Sequence, residues 1–122
     1  MELIIIKGKV IKGSGYGRKI GFPTINLDRK HFLKLQKKPA FGIYYGKAIL
    51  SNKKYKAGIV IGPLDKMGLP KVEAHLLEFS KNYYGKKVTF EVEGLIRKFK
   101  KFKNEQELKS QIKKDMALVS KK

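Results

Sequence analysis

The chain has no cysteine, so neither a disulfide nor a thiolate-bound metal can hold it together, and cysteine usage leaves its redox compartment open. It has little negative charge: ten Asp and Glu stand against twenty-nine Lys and Arg, a formal charge of +19 at neutral pH. It has no apolar run long enough to cross a bilayer as a helix. Its opening MELIII carries an acidic second residue and lacks the basic flank and cleavage site of a leader. A soluble, cytoplasmic protein is the expectation. Arginine is scarce as well, limited to Arg18, Arg29 and Arg97, whereas dedicated readers of nucleic acid favour clustered arginine with interleaved aromatics. The charge therefore fits either a polyanionic partner or a lysine-rich solvated surface. A length of 122 residues makes a single domain, 1–122, able to bury roughly two thirds of its unfolded surface.

What is present reads mostly as strands. Residues 2–11, ELIIIKGKVI, open as an apolar run and then alternate. Residues 42–50, GIYYGKAIL, and 54–61, KYKAGIVI, flank the turn-like Ser51-Asn52-Lys53, a predicted hairpin. Residues 71–79 form another strand, followed by a connection through Asn82 and Gly85. Over 87–97 the alternation sets Val88, Phe90, Val92 and Ile96 on one face and Thr89, Glu91, Glu93, Leu95 and Arg97 on the other. Then the period changes. Asn104 is placed as an N-cap with Glu107 at the third helical position, and Leu108, Ile112, Met116 and Val119 recur at helical spacing. One amphipathic helix is predicted over about 104–119. Between Asp28 and Pro39 a polar connection has room for a helical turn around Phe32 and Leu33. Short strands with a single terminal helix predict a mainly β fold, a small closed or nearly closed barrel with the helix packed against it.

Three stretches carry chemistry. In GSGYGRKIGFPTIN, residues 13–26, glycines at 13, 15, 17 and 21 free the backbone to bring N–H groups close to an anion. The spacing matches neither a Walker loop nor GxGxxG, no helix is expected to follow, and a plain mobile turn has the same composition. The proline at 23 favours an extended approach, in which Thr24 and Asn26 turn their side-chain oxygens the same way. Such a pair suits a hard cation whose other ligands are phosphate and water, and equally a loop-capping turn. In VEAHLLEF, residues 72–79, both faces are largely apolar, so Glu73 must find a partner or a task. It fits a general base for a substrate hydroxyl, or an ion pair with a lysine; His75 reads as structural. In GLIRKFKKFKN, residues 94–104, cations alternate with Phe99 and Phe102. That mixture can stack a planar ring and hold an anion, stack a nucleobase, or pack the helix onto the barrel.

Taken in order, Gly8-x-Val10, the glycine-rich turn, Gly21-Phe22-Pro23-Thr24-Ile25-Asn26, Gly42-Ile43-Tyr44, Val72-Glu73-Ala74-His75-Leu76-Leu77-Glu78-Phe79, Tyr84-Gly85, Arg97, Phe102 and Ile112-x-x-Asp115 resemble riboflavin kinase, the ATP-dependent flavokinase of bacteria and eukaryotes. The likeness runs from about residue 8 to 119. It implies a closed six-stranded antiparallel β-barrel with one C-terminal α-helix. It implies transfer of the γ-phosphoryl group of ATP to the 5′-hydroxyl of riboflavin, giving FMN and ADP. The resemblance further makes Thr24 and Asn26 the residues that hold Mg²⁺ against the nucleotide phosphates and Glu73 the catalytic base. Around the nucleotide it places Gly13, Gly15, Gly17, Arg18, Leu76, Glu78 and Tyr84, together with Thr24 and Asn26; over the flavin it places Arg97, Lys100 and Phe102.

The chain departs from the family at Ile25, where Ala is usual. Its IGPLDKMGLP keeps Gly62 but not the threonine of a Gly-x-x-Pro-Thr segment, and Lys98-Phe99 stand where Pro-Glu commonly follows the arginine. With no nucleotidyltransferase signature beside the module, FMN and not FAD is the expected product. The expected partners are riboflavin/FMN and ATP/ADP, with no membrane, no nucleic acid and a monomeric chain. Two rival readings are a nucleic-acid-binding barrel, which leaves Thr24, Asn26 and Glu73 without a role, and a flavin-binding relative without turnover.

Overall fold

A computed structural model of the chain describes residues 1–77 and 83–122. Six strands close into a barrel: β1 (Ile4–Ile11), β2 (Ile25–Leu27), β3 (Gly42–Leu50), β4 (Lys53–Leu64), β5 (Pro70–Leu76) and β6 (Lys87–Arg97). Their order around it is β1-β2-β5-β4-β3-β6, and every neighbouring pair is antiparallel. Alternation builds the interior. Val88, Phe90 and Val92 are buried while Thr89, Glu91 and Glu93 between them are half-buried, and Val72, Ala74 and Leu76 point inward in the same way. Each Ile, Val or Phe taken wholly out of water contributes about 1.5–3 kcal/mol, and Ile6, Leu27, Ile59, Ile61 and Phe90 are all completely buried.

The β3–β4 hairpin turns on Ser51 and Asn52, both with positive φ, between the paired Leu50 and Lys53. Two left-handed residues give the turn whose twist matches its strands. Where β3 crosses β6 the register shifts between Tyr45 and Gly46, and a side chain at Gly46 would run into the Glu91 carbonyl. β2, only three residues long, is too short to show a period in the sequence. Ile25, in the position where alanine is usual, points into the barrel and is buried opposite Ala74, a large residue facing a small one.

Three helical pieces complete the chain: α1 (Tyr16–Lys19), α2 (Lys30–Lys34) and α3 (Glu105–Ser120). The single turn α1 corrects the expectation that the glycine-rich stretch leads into no helix. Gly15, left-handed at φ 77°, starts it, and Lys19 N–H closes the turn on the Gly15 carbonyl at 3.2 Å. α2 is the turn expected around Phe32, whose ring is buried. α3 begins where Asn104 caps it: Asn104 Oδ1 accepts from Glu107 N–H at 2.9 Å, a bond worth about 1 kcal/mol. The Glu107 carboxylate reaches back one residue further than a capping box requires, accepting from Lys103 N–H at 3.1 Å. α3 lies over β4, with Met116 and Val119 against Gly58, whose missing side chain lets the helix approach. No helix among the described residues is long and apolar enough to cross a membrane.

Candidate active site

One cavity of about 720 Å³ opens between the β1–β2 loop, the outer face of β5, the β4–β5 loop and α3. That is the size range of pockets for small ligands and cofactors. Its polar floor is made by Thr24, Asn26, Glu73 and His75. Its other end is apolar, with Phe99, Phe102, Leu108, Ile112 and Met116.

The floor follows from strand register. Asn26 and Glu73 are directly paired across β2 and β5, so their side chains leave the barrel on the same face. Thr24, two residues before Asn26, shares that face and lines the cavity beside Glu73. Two stretches about fifty positions apart thus supply one cluster. Burial raises the Glu73 pKa above the ordinary glutamate value, while the Lys71 charge and the Thr24 hydroxyl pull it back down. His75 lies beside it, edge-on to Phe22 with ring centroids 6.1 Å apart, and its Nδ1 is 3.1 Å from the Pro23 carbonyl oxygen. A carbonyl only accepts, so Nδ1 carries the proton. Burial pushes the His75 pKa down, against the Pro23 hydrogen bond and the Asp115 charge.

The Asn26 amide has no hydrogen-bond partner among the described residues, and it packs so closely on Gly13 that any side chain there would overlap it. A free amide oxygen, a hydroxyl and a carboxylate make a donor set of hard oxygens. No group of three or more His, Cys, Asp or Glu that could enclose a metal occurs among the described residues. The set therefore fits a divalent cation that brings most of its ligands with it, as phosphate oxygens and water.

At the far end, Arg97 closes β6 and is held from α3. Its Nε contacts Asp115 Oδ1 and Oδ2, both at 3.1 Å, and Nη2 reaches Oδ2 at 2.9 Å. Asp115 is 4 % exposed and also accepts from Gln111 Nε2 at 2.9 Å. The guanidinium carbon stands 5.8 Å from the centre of the Phe102 ring, and Lys100 Nζ 5.7 Å. Arg97, which lacks the glutamate that commonly follows it, has its carboxylate on the helix.

Of the residues singled out in the sequence, the structure gathers Gly13, Gly17, Thr24, Asn26, Glu73, Arg97 and Phe102 around the cavity. Gly15 and Arg18 are exposed on the β1–β2 loop, Tyr84 is 51 % exposed, and Lys100 reaches the site only through Phe102. The Leu76 side chain packs into the barrel core, and Glu78 lies outside the described residues. Sequence reading assigned no role to Arg29, Asp65, Lys71 or Asp115, all of which line the cavity. Asp115 alone left a signal, as an acid set into the apolar stripe of α3.

A family model described as riboflavin kinase matches residues 2–122. A bifunctional riboflavin kinase/FMN adenylyltransferase of Haemophilus influenzae is 38 % identical over 119 residues, 91 % of this chain and 36 % of that protein. An RNA-binding riboflavin kinase of Bacillus subtilis is 35 % identical over 124 residues, 98 % of this chain and 51 % of that protein. The chain thus spans between about a third and a half of these curated relatives. Among solved structures, the riboflavin kinase of Trypanosoma brucei superposes with a TM-score of 0.68 at 28 % identity, over 99 % of this chain and 80 % of that one. A Streptococcus pneumoniae protein titled as a macrolide-efflux protein superposes at 0.84 and 29 % identity, over 95 % of this chain and 38 % of that one.

Proposed function

Because this chain belongs to the riboflavin kinase family, we propose that it transfers the γ-phosphoryl group of ATP to the 5′-hydroxyl of riboflavin, releasing FMN and ADP. The observation that carries the reading is the pairing of Asn26 with Glu73 at the cavity floor, with Thr24 beside them on the same face. Glu73, with its raised pKa, accepts the proton of the ribityl hydroxyl as that oxygen bonds to the γ-phosphorus and the bond to the bridging β–γ oxygen breaks. Thr24 and Asn26 would hold Mg²⁺, which when bound neutralises charge on the phosphate oxygens.

The remaining assignments follow the same division of the cavity. Phe102, backed by Arg97 and Lys100, offers a flat cationic-aromatic surface to the isoalloxazine ring. Asp115 holds Arg97 in that position. Gly13, Gly15 and Gly17 bring backbone N–H groups of the β1–β2 loop to the phosphates, where Arg18 adds charge. Exposed Tyr84 completes the nucleotide side, whereas the Leu76 side chain packs in the barrel core and takes no part.

The test is chromatographic detection of FMN from riboflavin, ATP and MgCl₂. Glu73→Gln, with its fold intact by circular dichroism, is expected to lower kcat by about 10²–10⁴, the contribution of a positioned general base. Flavin binding without FMN in the unaltered protein would replace the kinase with a non-catalytic flavin binder. A Glu73→Gln variant as active as the parent would remove the assigned base.

A further inference from the structure

β2 is held to its neighbours by very little backbone. It shares two registered pairs with β5, Ile25↔Ala74 and Asn26↔Glu73, and two with β1, Val10↔Leu27 and Ile11↔Asn26. Burial of Ile25 and Leu27 excludes a slip by one residue, which would turn them outward. It does not exclude a slip by two residues, which keeps the same face inward and carries Asn26 about 7 Å from Glu73.

Side chains close both ends of this short ladder. Beyond Ile25, the His75 ring on β5 bonds the Pro23 carbonyl at 3.1 Å. Beyond Asn26, continuing the register for three residues sets Arg29 opposite Pro70. There Arg29 Nη1 reaches the Pro70 carbonyl at 3.4 Å and Asp65 Oδ2 at 2.8 Å. Asp65 is itself fixed: Oδ1 accepts from Met67 N–H at 2.8 Å and from Leu69 N–H at 3.1 Å, winding the β4–β5 loop around its carboxylate. The Leu69 N–H and the Arg29 guanidinium lead the interactions that keep Asp65 below the usual carboxylate range, so its carboxylate stays ionised near neutrality.

We propose that His75 at one end, and Arg29 with Asp65 at the other, are positioning residues that lock β2 on β5 in the register that sets Asn26 against Glu73. Its consequence for turnover rests on the kinase reading; its consequence for strand pairing does not. Displacing reacting groups by about 1 Å can cost 10²-fold in rate. Releasing either clamp therefore lowers kcat while leaving the flavin end, on β6 and α3, intact.

The experiment pairs kinetics with amide hydrogen exchange on the whole chain. Arg29→Met, Asp65→Ala and His75→Phe, the last keeping an aromatic ring against Phe22 without a donor, are each expected to lower kcat about ten- to hundredfold. The KM for riboflavin should change less than twofold, and exchange should accelerate at residues 25–27 and 72–75. Arg29→Lys is expected to restore most of both, because a single nitrogen makes both Arg29 contacts and an ammonium can replace it. The Arg29→Met/Asp65→Ala double variant should lose no more than either single one. Unchanged exchange at these amides in all three single variants, or a Lys variant as impaired as Met, overturns the proposal. Should the parent chain form no FMN, accelerated exchange still establishes the clamps and only the kinase reading falls.

Discussion

Glu73 shows how one residue ties chemistry to stability. In the unfolded chain its carboxyl titrates at the ordinary value, and in the native chain burial raises that value. Between the two, the native state keeps a proton that the unfolded state has lost, so its contribution to stability falls as pH rises through that window. Above the window the native carboxylate carries the whole penalty. Glu73→Gln carries none, so in metal-free buffer it is expected to melt higher than the parent at pH 7–8, with the gap closing as pH falls toward 4. Thermal melts across that range check it, and a gap that grows on acidification would reverse the sign of the argument. Glu73 was legible in the sequence because an acid inside an apolar strand demands an explanation. Thr24 and Asn26 were legible through proline and strand geometry together with family likeness. Arg29 and Asp65 were not: their pairing joins residues 36 positions apart, and nothing local to either marks it.

At the scale of elements, the end of the cavity proposed for the flavin depends on one strand–helix bond. β6 ends on Arg97, α3 presents Asp115, and the fork between them is buried on the carboxylate side and 17 % exposed on the arginine side. Removing one partner from such a pair costs about 3–5 kcal/mol, because the other is left charged and unpaired. Asp115→Ala is expected near the lower figure, since Arg97 keeps some access to water. A lower denaturation midpoint should come with an unchanged m-value, and a raised KM for riboflavin with it. Asp115→Asn, which keeps the shape and one acceptor, should fall between the two. A raised KM without any loss of stability would mean that Asp115 contacts the flavin directly. The long strands and α3 were readable because each runs for several turns of its own period. The three-residue β2 and the single-turn α1 were not, because such short elements are set by their neighbours: β2 by the partners on each side, α1 by the left-handed Gly15.

Across the whole molecule, charge separates the two substrates of the proposed reaction. Among the described residues, five ion pairs occupy Glu2, Asp65, Glu91, Glu93 and Asp115, half of the ten acids. Most of the twenty-nine cations are left to set the outer field. That field acts on a nucleoside triphosphate, which is a polyanion, and hardly at all on riboflavin, which is neutral. Salt shortens its reach from about 30 Å at 0.01 M to about 10 Å at 0.1 M. Raising ionic strength over this range and beyond, to about 0.3 M, is therefore expected to weaken Mg·ATP binding roughly tenfold while shifting the riboflavin Kd less than twofold. Titration calorimetry at fixed pH, varying only KCl, measures both. An equal response of the two ligands would mean that the +19 charge is a property of the solvated surface alone, and that Thr24, Asn26 and the β1–β2 loop bind the phosphates without help from the rest of the molecule.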